Sequence, residues 1–151
     1  RQLKTFMVEV LQGTGELVDE RTVKFSPSDG SAPKDLFFET MVIATGSKSN
    51  RFPPVDFALP GVYDSDTIWG IDRKPKHMVV QGAGIIGLEY ALTFKKLGAE
   101  SVTIVEVGDK VVPMLDGALQ EACKETLTSQ GIEFVMKTKF QTVKGLPGTT
   151  R

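Results

Sequence analysis

The sequence holds a single cysteine, Cys123, and a single histidine, His77. One cysteine excludes an intramolecular disulfide within these residues, and with it redox chemistry by a cysteine pair on this chain. A metal site needing several His or Cys ligands is excluded as well, so no metal is expected. An excess of positive charge is also missing. The 18 Lys and Arg stand against 19 Asp and Glu, for a net charge of −1. A phosphate backbone is held by concentrated positive charge, so nucleic acid is not an expected partner. No apolar run is long enough to cross a bilayer, and no basic-then-apolar leader opens the residues given. The expectation is a soluble protein of the cytoplasm or another reducing compartment, with no membrane partner. What is present is ordinary for a globular chain: 151 residues, 40% hydrophobic and 25% charged. The pattern starts at Arg1 and stops at Arg151 in mid-element, as a piece of a longer chain would.

Periodicity divides the chain in two. Residues 5–12 read as a half-buried strand, with Gly13 and Gly15 as punctuation. Two short strands follow at 17–18 and 22–25, with Asp19 and Glu20 as the turn between them. Residues 26–34 are a loop by composition, and the apolar run within 37–44 reads as a buried strand stopping at Gly46. The first part is therefore expected to be an antiparallel β-meander leading into a core strand. Residues 47–76 show no strong period, and Pro53, Pro54, Pro60 and Pro75 keep them extended. A short helical turn near Ser65 and Asp66 is expected, where Ser or Asp can cap it, and helix capping is the expected role of Asp64 and Asp66 as well.

The second part alternates strand and helix: a strand at 77–81, a helix over 84–97, a strand at 102–106, a helix over 116–130 and a strand at 132–136. Residues 140–143 are a candidate fourth strand. Strand, helix, strand, helix, strand predicts an α/β fold with a parallel sheet and right-handed crossovers. Cys123 falls on the predicted buried face of the second helix, where a structural thiol is the expected role. His77 is expected at a strand edge, and Trp69 in the linker either packs between domains or caps a core.

One motif carries chemistry. Gly82-Ala83-Gly84-Ile85-Ile86-Gly87 fits G-x-G-x-x-G, a pattern that is weak alone. Here a buried strand precedes it, a helix opens at it, and a second strand ends in an acid, Glu106, 19 residues after Gly87. The unit also has the length of a βαβ element. Gly82 permits the tight turn, Gly84 lets a pyrophosphate approach the backbone, and Gly87 lets the helix pack on the strand. The helix N-terminus offers unpaired N–H groups and partial positive charge to phosphates. Glu106 can accept hydrogen bonds from the adenosine-ribose hydroxyls and would repel a 2′-phosphate. Lys110 is the only cation near it in sequence. NAD(H) is therefore expected over NADP(H).

With these residues in view, the chain resembles the FAD-dependent pyridine nucleotide–disulfide oxidoreductase family. Three landmarks occur in family order. Residues 41–47, ending Ala44-Thr45-Gly46-Ser47, resemble the family's ATG strand end. Val62-Tyr63-Asp64-Ser65-Asp66 resembles the crossing between its FAD and NAD domains. Residues 79–89 resemble its NAD-domain fingerprint, with the trailing Glu89. The resemblance implies the end of a first FAD-domain segment at 1–56, an interdomain linker at 57–74, and a Rossmann-like NAD-binding domain, βαβαβ, at 75–151 and incomplete at its C-terminal end. It implies backbone contacts to FAD from Thr45 and Gly46. It places the NAD pyrophosphate on Gly82, Gly84 and Gly87, with Ile86 in the same turn. Ile85 would cover the flavin face, Glu89 would lie near nicotinamide and flavin, and Glu106 would bind the adenosine ribose.

Two branches of the family compete. The segment Pro54-Val55-Asp56-Phe57 with residues 63–66 is most similar to the soluble pyridine nucleotide transhydrogenase branch. Residues 84–89 and Val105-Glu106 look more like the dihydrolipoamide dehydrogenase branch. The family's first Gly-rich motif and any redox cysteine pair would lie before Arg1. Its catalytic His-Glu pair and dimerisation domain would lie after Arg151, so the family homodimer's interface would be mostly outside this chain. The expected parent is a flavoprotein moving hydride between NAD(H) and FAD. No catalytic residue is assigned to these 151 residues, and the chain alone is expected to be inactive. A non-catalytic nucleotide-binding module and a stand-alone NAD dehydrogenase are the alternative readings.

Overall fold

A computed structural model describes residues 6–53 and 55–144. The chain divides into two compact units, Arg1–Gly46 and Ser47–Arg151. The stretch 57–74, expected as a linker, groups with the second unit.

The first unit is an antiparallel meander of β1 (Gly13–Leu17), β2 (Thr22–Pro27) and β3 (Lys34–Phe37) in the order β1-β2-β3. The first hairpin closes where Asp19 was expected to turn the chain. The Val18 N–H donates to the Thr22 carbonyl at 2.9 Å, and the Asp19 carboxylate accepts from the Arg21 N–H at 2.8 Å. Gly13 and Gly15 do not punctuate a strand; both lie inside β1. A side chain at 13 would collide with the Ser26 carbonyl oxygen and the buried Phe25 ring, so the missing Cβ admits that ring. The described part of 5–12 is not a strand.

The buried strand expected within 37–44 is also corrected. Only Phe37 of that run is in a strand, and Val42 and Ile43 are 82% and 73% exposed. An apolar run stays buried as a strand only with pairing partners beside it, and none of the described residues pairs with 41–44.

The second unit is α/β. Its parallel sheet runs in the order β4-β5-β6, with β4 (His77–Gln81), β5 (Ser101–Val105) and β6 (Ile132–Val135). Helix α1 (Ile85–Lys96) joins β4 to β5, and α2 (Gly117–Ser129) lies between β5 and β6. Each helix stops where a glycine takes the left-handed turn its end requires, Gly98 at φ 91° and Gly131 at φ 79°. Val102 and Ile104 of β5, Leu88 and Ala91 of α1, Leu127 of α2 and Ile132 of β6 form one buried cluster, with Cys123 half-buried against it. The candidate fourth strand at 140–143 is not formed. His77 stands exposed on β4, its Nδ1 2.9 Å from Ser101 Oγ and its Nε2 3.8 Å from Glu100. No described helix is long and apolar enough to cross a membrane.

Apart from one helical turn, residues 47–53 and 55–76 are irregular, and polar side chains organise them. The helical turn is a single 3-10 turn at Ile68–Gly70, and of the expected capping residues Asp64 is the one that supports it. Asp64 Oδ1 accepts from the Thr67 hydroxyl at 2.7 Å and the Thr67 N–H at 2.9 Å. Asp64 Oδ2 takes the Arg51 guanidinium at 2.7 and 2.8 Å. Asp66 instead accepts from the Ser49 hydroxyl at 2.8 Å. Trp69 is exposed and packs on Tyr90 of α1, ring centroids 5.8 Å apart, while the Tyr90 hydroxyl donates to the Ser65 carbonyl.

The Thr67 hydroxyl, with Arg51 beside it, holds the Asp64 carboxyl at a pKa of about 2, below its ordinary 3.8. A depressed carboxylate contributes stability that is present above the unfolded value and lost as pH falls through the folded one. Acid titration of the chain should therefore show an unfolding component between roughly pH 4 and pH 2 that Asp64→Asn removes. An identical acid profile for the variant, followed by circular dichroism, would discard this assignment.

Candidate functional site

The site is built where β4 runs into α1. At Gly82 the chain turns with φ 103°, a conformation that residues with a Cβ rarely adopt, and its N–H still pairs with the Val105 carbonyl at 2.9 Å. Gly87 sits over this turn, and a Cβ there would collide with the Gly82 carbonyl oxygen. Both glycines are thus demanded by the fold itself. Gly84 is different. Its φ of −79° is open to any residue, and apart from its chain neighbours none of the described residues has an atom within 4 Å of where its Cβ would stand.

Gly84 is the N-cap of α1, with no capping side chain and no acid in the first turn. The first N–H groups of a helix have no partner inside it, and an uncapped end leaves them for solvent or an anion. Helix α2 shows the alternative, since the side chain of its N-cap Asp116 accepts from the Ala118 N–H at 2.9 Å.

Glu106, just past β5, reaches this loop. Its Oε2 accepts from the Ala83 N–H at 2.8 Å and its Oε1 from the Gly108 N–H at 2.6 Å. A carboxylate has about four lone-pair positions, so acceptor capacity remains after these two bonds. The backbone of Glu106 is held too, donating to the Val135 carbonyl and accepting from the Thr138 N–H, both at 2.9 Å. Ile85 (47% exposed) and Ile86 open the helix at the surface. Glu89, also exposed, follows Ile85 by one turn and so shares its face of α1.

The structure therefore brings Gly82, Gly84, Ile85, Ile86, Gly87, Glu89 and Glu106 to one loop and one helix end. Thr45 and Gly46 belong to the other unit, exposed and outside any strand, with Gly46 at φ 73°. Two groups were missed in the sequence: the Gly108 N–H that shares Glu106, and Val112, whose N–H donates to the Ala83 carbonyl at 2.9 Å. A glycine two residues beyond the acid was a usable signal for the first. Nothing in the sequence marks the second.

Comparison with known proteins closes the question of kinship. The sequence profile described as pyridine nucleotide-disulphide oxidoreductase matches residues 2–150. The chain belongs to this family. Among curated members, it is 33% identical over 138 residues to the soluble pyridine nucleotide transhydrogenase of Erwinia tasmaniensis, covering 91% of this chain and 29% of that protein. It is 34% identical to the one from Pseudomonas aeruginosa, covering 92% and 30%. The chain thus spans about 30% of the length of the family members it matches. Among solved structures, the HOCl-induced flavoprotein disulfide reductase RclA of Escherichia coli superposes with a TM-score of 0.65 at 25% identity, over 87% of this chain and 29% of that one. A ferredoxin reductase from Rhodopseudomonas palustris has a TM-score of 0.74 at 21% identity, over 97% and 37%, a likeness of fold.

Proposed function

We propose that this chain supplies the nicotinamide-dinucleotide site of a flavoprotein oxidoreductase that passes hydride between NAD(H) and FAD. The observation that carries the reading is Gly84. The fold needs Gly82 and Gly87, but among the described residues nothing crowds a Cβ at 84, where an uncapped helix end opens. A ligand that must approach the backbone closely is a reason for that residue, and a pyrophosphate fits the free N–H groups behind it. Glu106, anchored at the edge of the same loop, would accept from the adenosine-ribose hydroxyls.

Family membership and the flavoprotein among the structural matches support FAD and NAD(P) as the cofactors. Bound FAD would supply the hydride-accepting chemistry, and the protein's part is binding and orientation. Thr45 and Gly46 would contact FAD through their backbone. Ile85 would shield the flavin face, and Glu89, on the same side of α1, would stand near the nicotinamide. The names of the curated family members favour the transhydrogenase branch.

Titration of the purified chain with NADH and NADPH is the direct test. NADH should bind at least about tenfold more tightly, because a 2′-phosphate facing the Glu106 carboxylate meets like charge. Without flavin bands in its absorption spectrum, the chain should not sustain NADH oxidation. Equal affinities would remove the assigned role of Glu106, and no binding of either nucleotide would remove the site.

A further inference from the structure

Val112 has a conformation that its sequence opposes. It is β-branched and precedes Pro113, and both features favour extended backbone. Its φ is nevertheless 45°, in the left-handed region that such residues rarely enter. The side chain is 2% exposed within the core cluster that also holds Val80, Ala83 and Leu88. Its carbonyl accepts from the Leu115 N–H, and its N–H donates to the Ala83 carbonyl, each at 2.9 Å. Packing and two hydrogen bonds hold the unusual turn.

The effect of this turn falls on the glycine-rich loop. Ala83 is 1% exposed, so both of its backbone polar groups need partners within the protein. Both partners come from the connection between β5 and α2: Glu106 takes the N–H and Val112 supplies the donor for the carbonyl. A peptide group is planar and trans, so its carbonyl and the next residue's N–H point in opposite directions. With the Ala83 N–H donated to Glu106, the carbonyl of the same peptide, that of Gly82, points away from Glu106. Turning the Ala83 carbonyl towards Val112 aims the Gly84 N–H away from Val112. Two consecutive peptide planes are thereby set by one connection.

We propose that Val112 is a positioning residue for the dinucleotide site, its left-handed turn presenting an N–H that orients the Ala83–Gly84 peptide and so aims the Gly84 N–H at the pyrophosphate. The inference rests on the dinucleotide-site reading above. It assigns the effect to the Val112 backbone, with the side chain serving to hold the turn in the core.

The test compares the 151-residue chain with two variants. One replaces the Val112 amide by an ester, which deletes the N–H and keeps the side chain. The other is Val112→Gly, which keeps the N–H and accepts a positive φ without strain. The probes are ADP-ribose, which carries the pyrophosphate, and adenosine, which does not. Losing one hydrogen bond to the loop should weaken ADP-ribose by about tenfold in the ester variant, with adenosine changed by less than about twofold. Val112→Gly should melt lower yet keep the ratio of the two affinities near that of the unaltered chain. An unchanged ratio in the ester variant overturns the inference and leaves the site reading intact. Loss of the ratio in Val112→Gly as well overturns it in favour of a side-chain role. Failure of the unaltered chain to bind ADP-ribose overturns both.

Discussion

Alanine at Gly84 should leave the folded chain about as stable as before while weakening NADH binding by at least about tenfold, as a Cβ pushes the pyrophosphate off the backbone. The stability half follows from the open space around Gly84 and its ordinary φ of −79°. An alanine N-cap is poorer than glycine, but the smaller entropy of the unfolded chain offsets a cost of the same size. Gly87→Ala should behave in the opposite order. Its Cβ collides with the Gly82 carbonyl oxygen, and Gly82 at φ 103° has little room to turn away. Overpacking of this kind costs about 1–3 kcal/mol, and α1 must shift off β4 to accommodate it. Thermal unfolding and NADH titration on the same two variants separate a glycine kept for a ligand from one kept for the fold. If Gly84→Ala bound NADH as well as the unaltered chain, the argument built on that residue would fail.

Glu106→Ala should lower NADH affinity by roughly 10- to 100-fold, since hydrogen bonds to a charged group contribute about 1.5–3 kcal/mol each. Two effects combine in that loss. The ribose hydroxyls lose their acceptor, and the Ala83 and Gly108 N–H groups lose theirs. NADPH should lose less, because the repulsion of its 2′-phosphate disappears with the carboxylate, so the preference between the nucleotides should narrow. Glu106→Gln refines the reading. A carboxamide offers one acceptor oxygen where the carboxylate offers two, so one of the two N–H groups is left without its present partner. Its NADH affinity should fall between those of the unaltered chain and the alanine variant. Calorimetric titration with both nucleotides reads these differences, and an unchanged NADH-to-NADPH ratio in Glu106→Ala would exclude the carboxylate as the source of preference.

The acid effect at Asp64 and the loop effects belong to different parts of the second unit. Asp64 ties Arg51 to Thr67 within residues 47–76, whereas Glu106 and Val112 act on the start of α1. Asp64→Asn should therefore leave NADH affinity unchanged near neutral pH, where its carboxylate partners are only structural.

Local pattern in the sequence determined the α/β unit. The apolar runs of β4, β5 and β6, the glycines that end α1 and α2, and the G-x-G-x-x-G spacing followed by Glu106 are all read over a few residues. Each element is specified by its own period and its own terminators, so the strand and helix positions are legible without knowing what packs where. The three glycines of the motif were legible as a set. That Gly82 and Gly87 answer to the fold and Gly84 does not was decided in three dimensions, by a backbone angle and by what a Cβ would meet. The run at 41–44 failed for a related reason, because an apolar stretch becomes a buried strand only when pairing partners lie beside it. Among the expected caps Ser65, Asp64 and Asp66, the tertiary structure selected Asp64, because Arg51 and Thr67 converge on it from both sides in sequence. Val112 was invisible altogether. A β-branched residue before proline points to extended chain, and only the tertiary packing of the β5–α2 connection against Ala83 forces it into the left-handed turn.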